Sequence, residues 1–423
     1  TDRSRGLGDV YKRQVKMMKK YADLIAEVGI GANSNQDIVI FASVEMAQFV
    51  HYLTLSLYAH KVKNIEVSYS DPLLIKQKML HTPIKRLSKV NPLDVEAMKS
   101  YTDRGMARIM LVGNDPNIYS SVGVEKVTAY NSALNKATFP YRQIYMNNEL
   151  AWCIAAVPTK KWAERVFPKA TPTQAQISLW EAIYKACRID ADNTPIESWK
   201  KHIATLNRNA NALNKMKLKS LHYQSKNGTD LVIGLPNSYR FAAANAVQSR
   251  YNSEFVPNLP TEEVFASPHK DKVDGIVYSS KALSYNGNII DKFFLKFENG
   301  KVVDYGAEVG YDTLKSIIDF DEGSCRLGEC ALVPFHSPIS EMNILFYNTL
   351  FDENAACHLA LGASFAECVS NGEAMSVEEL EEVGLNQSRE HVDFMIGTED
   401  LSIIGTDKNG KEIVIFKDGD FAI

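Results

Sequence analysis

The sequence predicts an N-terminal α/β half built on a parallel sheet, residues 15–218, followed by a β-rich α+β half, residues 219–423. Two observations carry this. Up to about Lys219, short apolar runs rich in β-branched residues alternate with segments of helical period, the order that parallel βαβ units require. Beyond it, short strand-like runs dominate, and Asn299-Gly300, Asn409-Gly410 and Asp418-Gly419 between or beside them are hairpin signals. A chain of 423 residues is long enough for two or three domains.

The elements follow in order. Residues 1–14 are polar, Arg-rich and without period; they resemble translated adapter sequence and are set aside, with native sequence expected to begin near Val15 or Met17. Residues 17–28 place Met18, Tyr21, Leu24, Ile25 and Val28 at helical spacing, and Gly29 and Gly31 stop that helix. Residues 37–43 read as a buried strand, 44–60 as a helix, 64–69 as a strand, and 107–112 and 152–157 as further buried strands. Residues 173–187 carry Ile177, Trp180, Tyr184 and Cys187 on one helical face. Residues 195–218 carry Trp199, Ile203, Leu206, Ala210 and Leu213, with Pro195 in the first turn. Both stripes are read as core packing. In the second half the expected strands are 230–235, 275–279, 293–298, 301–305, 331–334, 392–396, 401–406 and 412–417.

A net charge of −4 lacks the basic excess of a nucleic-acid binder, and no apolar run is long enough to span a bilayer, so neither partner is expected. The six cysteines, at 153, 187, 325, 330, 357 and 368, show no C-x-x-C pair and read as reduced thiols. Without an apolar leader, a cytoplasmic address is expected. Gly29-x-Gly31 lacks a third glycine and follows a helix, so a nucleotide-dependent oxidoreductase has no phosphate-binding turn here. There is no P-loop and no H-E-x-x-H, and Ser364 lacks the flanks of a nucleophile elbow.

What remains is a set of acids and imidazoles in otherwise apolar stretches of the second half. His391-x-Asp393 puts an imidazole and a carboxylate on one face of a strand, roughly 7 Å apart at Cα, where both can converge on one ion. Glu329 follows Gly328 into an apolar strand, an unusual place for an unpaired acid. His358 sits among alanines and leucines. On one helix Glu353 and His358 would lie ~140° apart, so they could share a site only if Glu353 belongs to a preceding turn. Of Glu262 and Glu263, one points away if that segment is extended. Oxygen and nitrogen donors without a thiolate suit zinc, manganese, cobalt or iron, and an excess of carboxylates suits a paired-metal hydrolase.

At these residues the chain resembles the thermophilic-type metallo-aminopeptidase family, the group of aminopeptidases T and S. The likeness runs from about Tyr21 to Ile423. It is carried by WCIAAVPTKKWAERVFP (152–168), NGTDLVIGLP (227–236), NLPTEEVFASP (258–268), RLGECALVPFHSPIS (326–340), NTLFDENAACHLALG (348–362) and HVDFMIGT (391–398). The resemblance implies two divalent ions per chain, zinc or cobalt with manganese or magnesium as alternatives, on Glu263, Glu329, Glu353, His358, His391 and Asp393. It also implies a homodimer that removes N-terminal residues from peptides with a free N-terminus; a metal-activated water would do this, with Glu329, near the proposed centre, as its expected base. One position departs from the family pattern. Seven residues after His358, where the family has a catalytic tyrosine, this chain has Phe365. That departure opens an alternative, a catalytically impaired member acting as a metal-stabilised binding protein; an active enzyme would need another donor, for which Tyr347 and Tyr311 are the candidates.

Overall fold

The computed structural model describes residues 2–285 and 288–423. Two compact units are present. The first takes residues up to His202 together with Asn245–Pro260; the second takes Ile203–Ala244 and Thr261–Ile423. The chain therefore crosses between units three times rather than at one point near 219.

The first unit holds helix α1 (Asp2–Leu24), strand β1 (Asp37–Ser43), α2 (Ala47–Ala59), β2 (Asn64–Ser70), α3 (Pro72–His81), α4 (Ile84–Leu87) and α5 (Pro92–Asp103). It continues with β3 (Ala107–Val112), α6 (Val124–Met146), β4 (Trp152–Ala156), α7 (Lys160–Val166), α8 (Pro172–Ala186) and the start of α9 (Pro195–Lys215). After β5 (Leu218–Gln224) and β6 (Asp230–Gly234) in the second unit, the chain returns to the first with β7 (Ala246–Gln248), β8 (Ser253–Phe255) and β9 (Asn258–Leu259). The sheet order is β2-β1-β3-β4-β9, every pair parallel. The apolar stripes read from the sequence meet in its core: Tyr21 packs on Phe49 and Trp180, with ring centroids 5.4 and 6.3 Å apart. Of the set-aside leader, Thr1 lies outside the described residues and the rest continues α1.

Helices α3, α5 and α6 were not read from the sequence. Their apolar residues form no clean stripe, and Leu73, Leu74, Leu93 and Val124 are exposed. What starts two of them is capping: Asp71 and Asn91 accept from the first-turn amides of α3 and α5, each with proline at the first helical position.

The second unit adds β10 (Val264–Ala266), β11 (Val273–Tyr278), β12 (Leu283–Tyr285), β13 (Asn288–Glu298), β14 (Lys301–Val309), β15 (Leu327–Leu332), β16 (His358–Gly362), β17 (His391–Met395), β18 (Ser402–Asp407), β19 (Glu412–Lys417) and β20 (Asp420–Phe421). A nine-stranded sheet runs β12-β13-β11-β6-β5-β18-β19-β20, with β14 on β13, and a four-stranded sheet runs β10-β15-β16-β17. Each expected hairpin signal closes a hairpin. At Asn299–Gly300 both residues have positive φ, 50° and 79°, the backbone that a two-residue loop of matching twist needs. No helix among the described residues is long and apolar enough to cross a membrane.

Candidate metal centre

The four-stranded sheet is entirely antiparallel, and its register decides which side chains meet. Glu329 on β15 stands opposite Ala360 on β16, which stands opposite Asp393 on β17. His358 stands between Ala331 and Met395, and Gly362 stands opposite His391. Residues directly opposite share a face, and so do alternate residues along each strand. Glu329, His358, His391 and Asp393 therefore occupy one face. Glu263, two residues before Phe265, which opposes Ala331, arrives at the same face just ahead of β10. The other face presents Leu332, Leu359, Leu361, Val392 and Phe394 to the apolar core. Burial of that face fixes the register, since a slip of one residue would exchange the two sets. Directly opposite or between the strand-borne acids and imidazoles stand the small residues Ala331, Ala360 and Gly362.

Gly362 ends β16 at φ 106°, and a β-carbon there would come within 2.1 Å of the Glu390 carbonyl oxygen. Gly328 marks a register shift in β15, with the Ala363 carbonyl oxygen 2.1 Å from where a β-carbon would sit. Both glycines let the backbones that carry Glu329 and His391 approach closely.

The side chains converge. His391 Nε2 lies 3.0 Å from Glu329 Oε2 and 3.2 Å from Asp393 Oδ1, and His358 Nε2 lies 3.2 Å from Glu263 Oε2. Each ring aims its other nitrogen at a main-chain carbonyl: His391 Nδ1 at Ala363 O, 2.8 Å away, and His358 Nδ1 at Ala356 O, 3.3 Å away. An Nδ1 proton donated to a carbonyl leaves the Nε2 lone pair facing the acids, the arrangement of metal-ligating histidines. Glu263, Glu329 and His358 form one group of donor atoms all within 4.8 Å of one another. Glu329, His391 and Asp393 form a second, and Glu329 belongs to both.

Glu353 heads a 3-10 turn, Glu353–Ala355, just ahead of β16, so it does lie in a turn preceding the His358 strand. It stands outside both groups but faces the same acids: burial, reinforced by Asp393, Glu263 and Glu329, pushes its carboxyl well above the usual range. Burial also raises Glu329, with Glu263 and Asp393 adding to it and His391 opposing. Burial would raise Asp393 too, but the His391 and His358 rings outweigh it and hold that group low. For His358, burial is overcome by Glu263 and the other acids, and the ring is pushed up to about 10; His391 is raised likewise. In so crowded a buried set, protons on Glu329, Glu353 and the two imidazoles offset the negative charge, and a divalent cation would compete for those positions. The oxygen and nitrogen donors present fit a divalent metal ion.

Phe365 lies beside the cluster, its ring centroid 4.8 Å from that of His391 and 5.6 Å from that of Phe265. Tyr311 opens a helix of its own and stacks on Tyr305 of β14, while Tyr347 sits at φ 53° ahead of the short helix Thr349–Asp352. Two supporting residues escaped the sequence reading. Asn354 accepts from the Glu262 amide at 2.7 Å and donates to Leu350 O at 3.0 Å, tying the Glu353 turn to the Glu263 segment. Asp352, which burial pushes up to about 6, accepts from the amides of Phe346 and Asn348 and faces Lys281. Their signal was the Asp-Glu-Asn run at 352–354, of which only the middle residue was assigned. Glu262 and Glu263 are both buried, whereas a simple extended segment would have turned one outward.

The sequence model of the family described as thermophilic metalloprotease (M29) matches residues 14–421. The chain belongs to that family. Among proteins similar to this M29 metalloprotease, aminopeptidase AmpS of Bacillus subtilis (strain 168) is 41% identical over 405 residues, 96% of this chain and 98% of AmpS. Aminopeptidase 2 of Geobacillus stearothermophilus is 40% identical over 410 residues, 97% and 98% of the two chains. The solved structure of wild-type AmpT from Thermus thermophilus superposes with a TM-score of 0.89 at 32% identity, covering 96% of this chain and 99% of that one. This M29 chain thus has the fold class read from its sequence, a parallel α/β region and a separate antiparallel β-rich region.

Proposed function

We propose that the chain is a metal-dependent aminopeptidase that frees N-terminal residues from peptides with a free N-terminus, with two divalent ions on Glu263, Glu329, Glu353, His358, His391 and Asp393. The observation that supports a pair of ions is the sharing of Glu329 between two donor groups, since a carboxylate with two oxygens can serve both. When bound, such ions supply Lewis acidity toward the scissile carbonyl and toward water. His358 and His391 present Nε2, held in aim by Ala356 and Ala363. Glu329, whose carboxyl burial raises, would accept the proton that water gives up. The choice of zinc or cobalt and the homodimer rest on the family resemblance.

The test is hydrolysis of aminoacyl-nitroanilides before and after chelation, then with zinc, cobalt or manganese restored. Activity that survives complete metal removal ends the proposal. Glu329→Gln and His358→Ala should each abolish turnover. One observation favours the alternative of an impaired member: Phe365 contacts His391 but has no hydroxyl to donate. If a donor is missing there, Phe365→Tyr should raise kcat by up to ~10²–10³-fold, the usual worth of an oxyanion donor. An unchanged kcat would show that the hydroxyl is not what limits this chain.

A further inference from the structure

In the first unit, two arginines, Arg108 and Arg142, carry charge that no carboxylate among the described residues pairs with. Arg108 on β3 stands in register with Val39 on β1 and Trp152 on β4. Its guanidinium carbon lies 4.4 Å from the centroid of the Tyr145 ring, and that ring is anchored by its hydroxyl donating to Met106 O at 2.9 Å. Arg108 Nε and Trp152 Nε1 are both withdrawn from solvent, and neither has a hydrogen-bond partner. Arg142 lies three residues before Tyr145 on α6, hence on the same helical face. It donates to Asn135 Oδ1 at 3.1 Å, not to an acid. Glu66, the acid in the same row of the sheet, pairs with Arg104 instead. Burial holds Arg108 down to about 10, with Tyr145 opposing and Arg142 adding, and burial lowers Arg142 as well.

A buried guanidinium beside an orphaned indole N–H, with the charge of a second arginine disfavouring it further, raises the free energy of the protein unless an anion joins it. Tyr145 occupies one face of the Arg108 guanidinium, and the unpartnered Nε at its edge can serve an oxygen of a planar or tetrahedral oxyanion. We propose that Arg108, Arg142 and Trp152 form a binding site for a small oxyanion, of carboxylate or phosphate type.

The experiment is thermal unfolding of the metal-loaded enzyme in sulfate, in acetate and in chloride at equal ionic strength. Sulfate, acetate or both should raise the Tm of the unaltered protein by about 2 °C or more above chloride, and which anion does so tells a tetrahedral from a planar ligand. Arg108→Met should abolish that rise and, in chloride, melt no lower than the unaltered protein, because it removes an unanswered charge. Should Arg108→Met itself fold poorly, Arg142→Gln, on a helix face, should cut the rise by half or more. Equal melting in all three salts, or a rise that persists in both variants, would overturn the site.

Discussion

His358 and His391 do the same thing in two places: each points one ring nitrogen at a backbone carbonyl and the other at acids. Their neighbours repel one another, so acids at the cluster have opposite effects with and without metal. Glu353→Gln should weaken metal binding by about 10–100-fold, the range seen when a supporting carboxylate is lost. In chelator the same variant should melt higher than the parent, because one of four crowded carboxylates is gone. Metal titration and calorimetry of both forms check this, and a variant less stable in both states would place Glu353 outside the repulsive set. Asp321 works differently. Burial would raise it, but amides of Arg389, Gly323 and Ser324 and the Ser388 hydroxyl donate to it and hold it below its ordinary value. A lowered carboxylate stabilises the fold above its unfolded pKa and loses that contribution as pH falls through the folded value. The contribution of Asp321 should therefore be level near neutrality and be lost below about pH 4. Asp321→Asn should cost about 1–3 kcal/mol at neutral pH through the lost acceptors, and should flatten that acid limb in urea titrations. The pairing of His391 with Asp393 was legible from period-two spacing alone. The relation of Glu353 to His358 was not, because a five-residue apolar run reads equally as strand or helix, and only the 3-10 turn before it resolves the geometry.

At the scale of elements, β16 is what gathers the site, and its sequence His-Leu-Ala-Leu-Gly divides cleanly into two faces. Leu359 and Leu361 go to the core, while Ala360 and Gly362 keep the polar face low. Gly362→Ala combines a forbidden φ with a clash against Glu390 O, and should destabilise by about 1–3 kcal/mol while shifting β17. Ala360→Leu, between Glu329 and Asp393, should leave the fold nearly intact but cut metal occupancy at least tenfold. Elemental analysis beside denaturant melts separates the two, and an Ala360→Leu protein with full metal content would mean the space above the sheet is not used. Strands β1, β3 and β4 were readable because they are continuous apolar runs of the kind a parallel sheet buries, and β2 was readable by its alternation. β5, β10 and β16 were not, since runs of three to seven mixed residues owe their pairing to partners far along the chain.

For the whole molecule, a ligand that binds only the folded state stabilises it by mass action, by about 2.7 kcal/mol at a hundredfold excess over Kd. Stripping metal should thus lower the Tm by several degrees, and readdition should restore it. A Tm that ignores the chelator would separate the acid cluster from metal altogether. The order of the units along the chain has its own outcome. The fifth strand of the first sheet, β9, lies beyond residue 244, after an excursion into the second unit. A nascent polypeptide that has just left the ribosome at residue 244 exposes the hydrogen-bonding edge of β4, where Ile154 N awaits the Pro257 oxygen. An open edge of that kind recruits other strands. Shortened versions ending near 218 or 244 should accumulate in inclusion bodies, and translation must pass residue 260 before the first half can close.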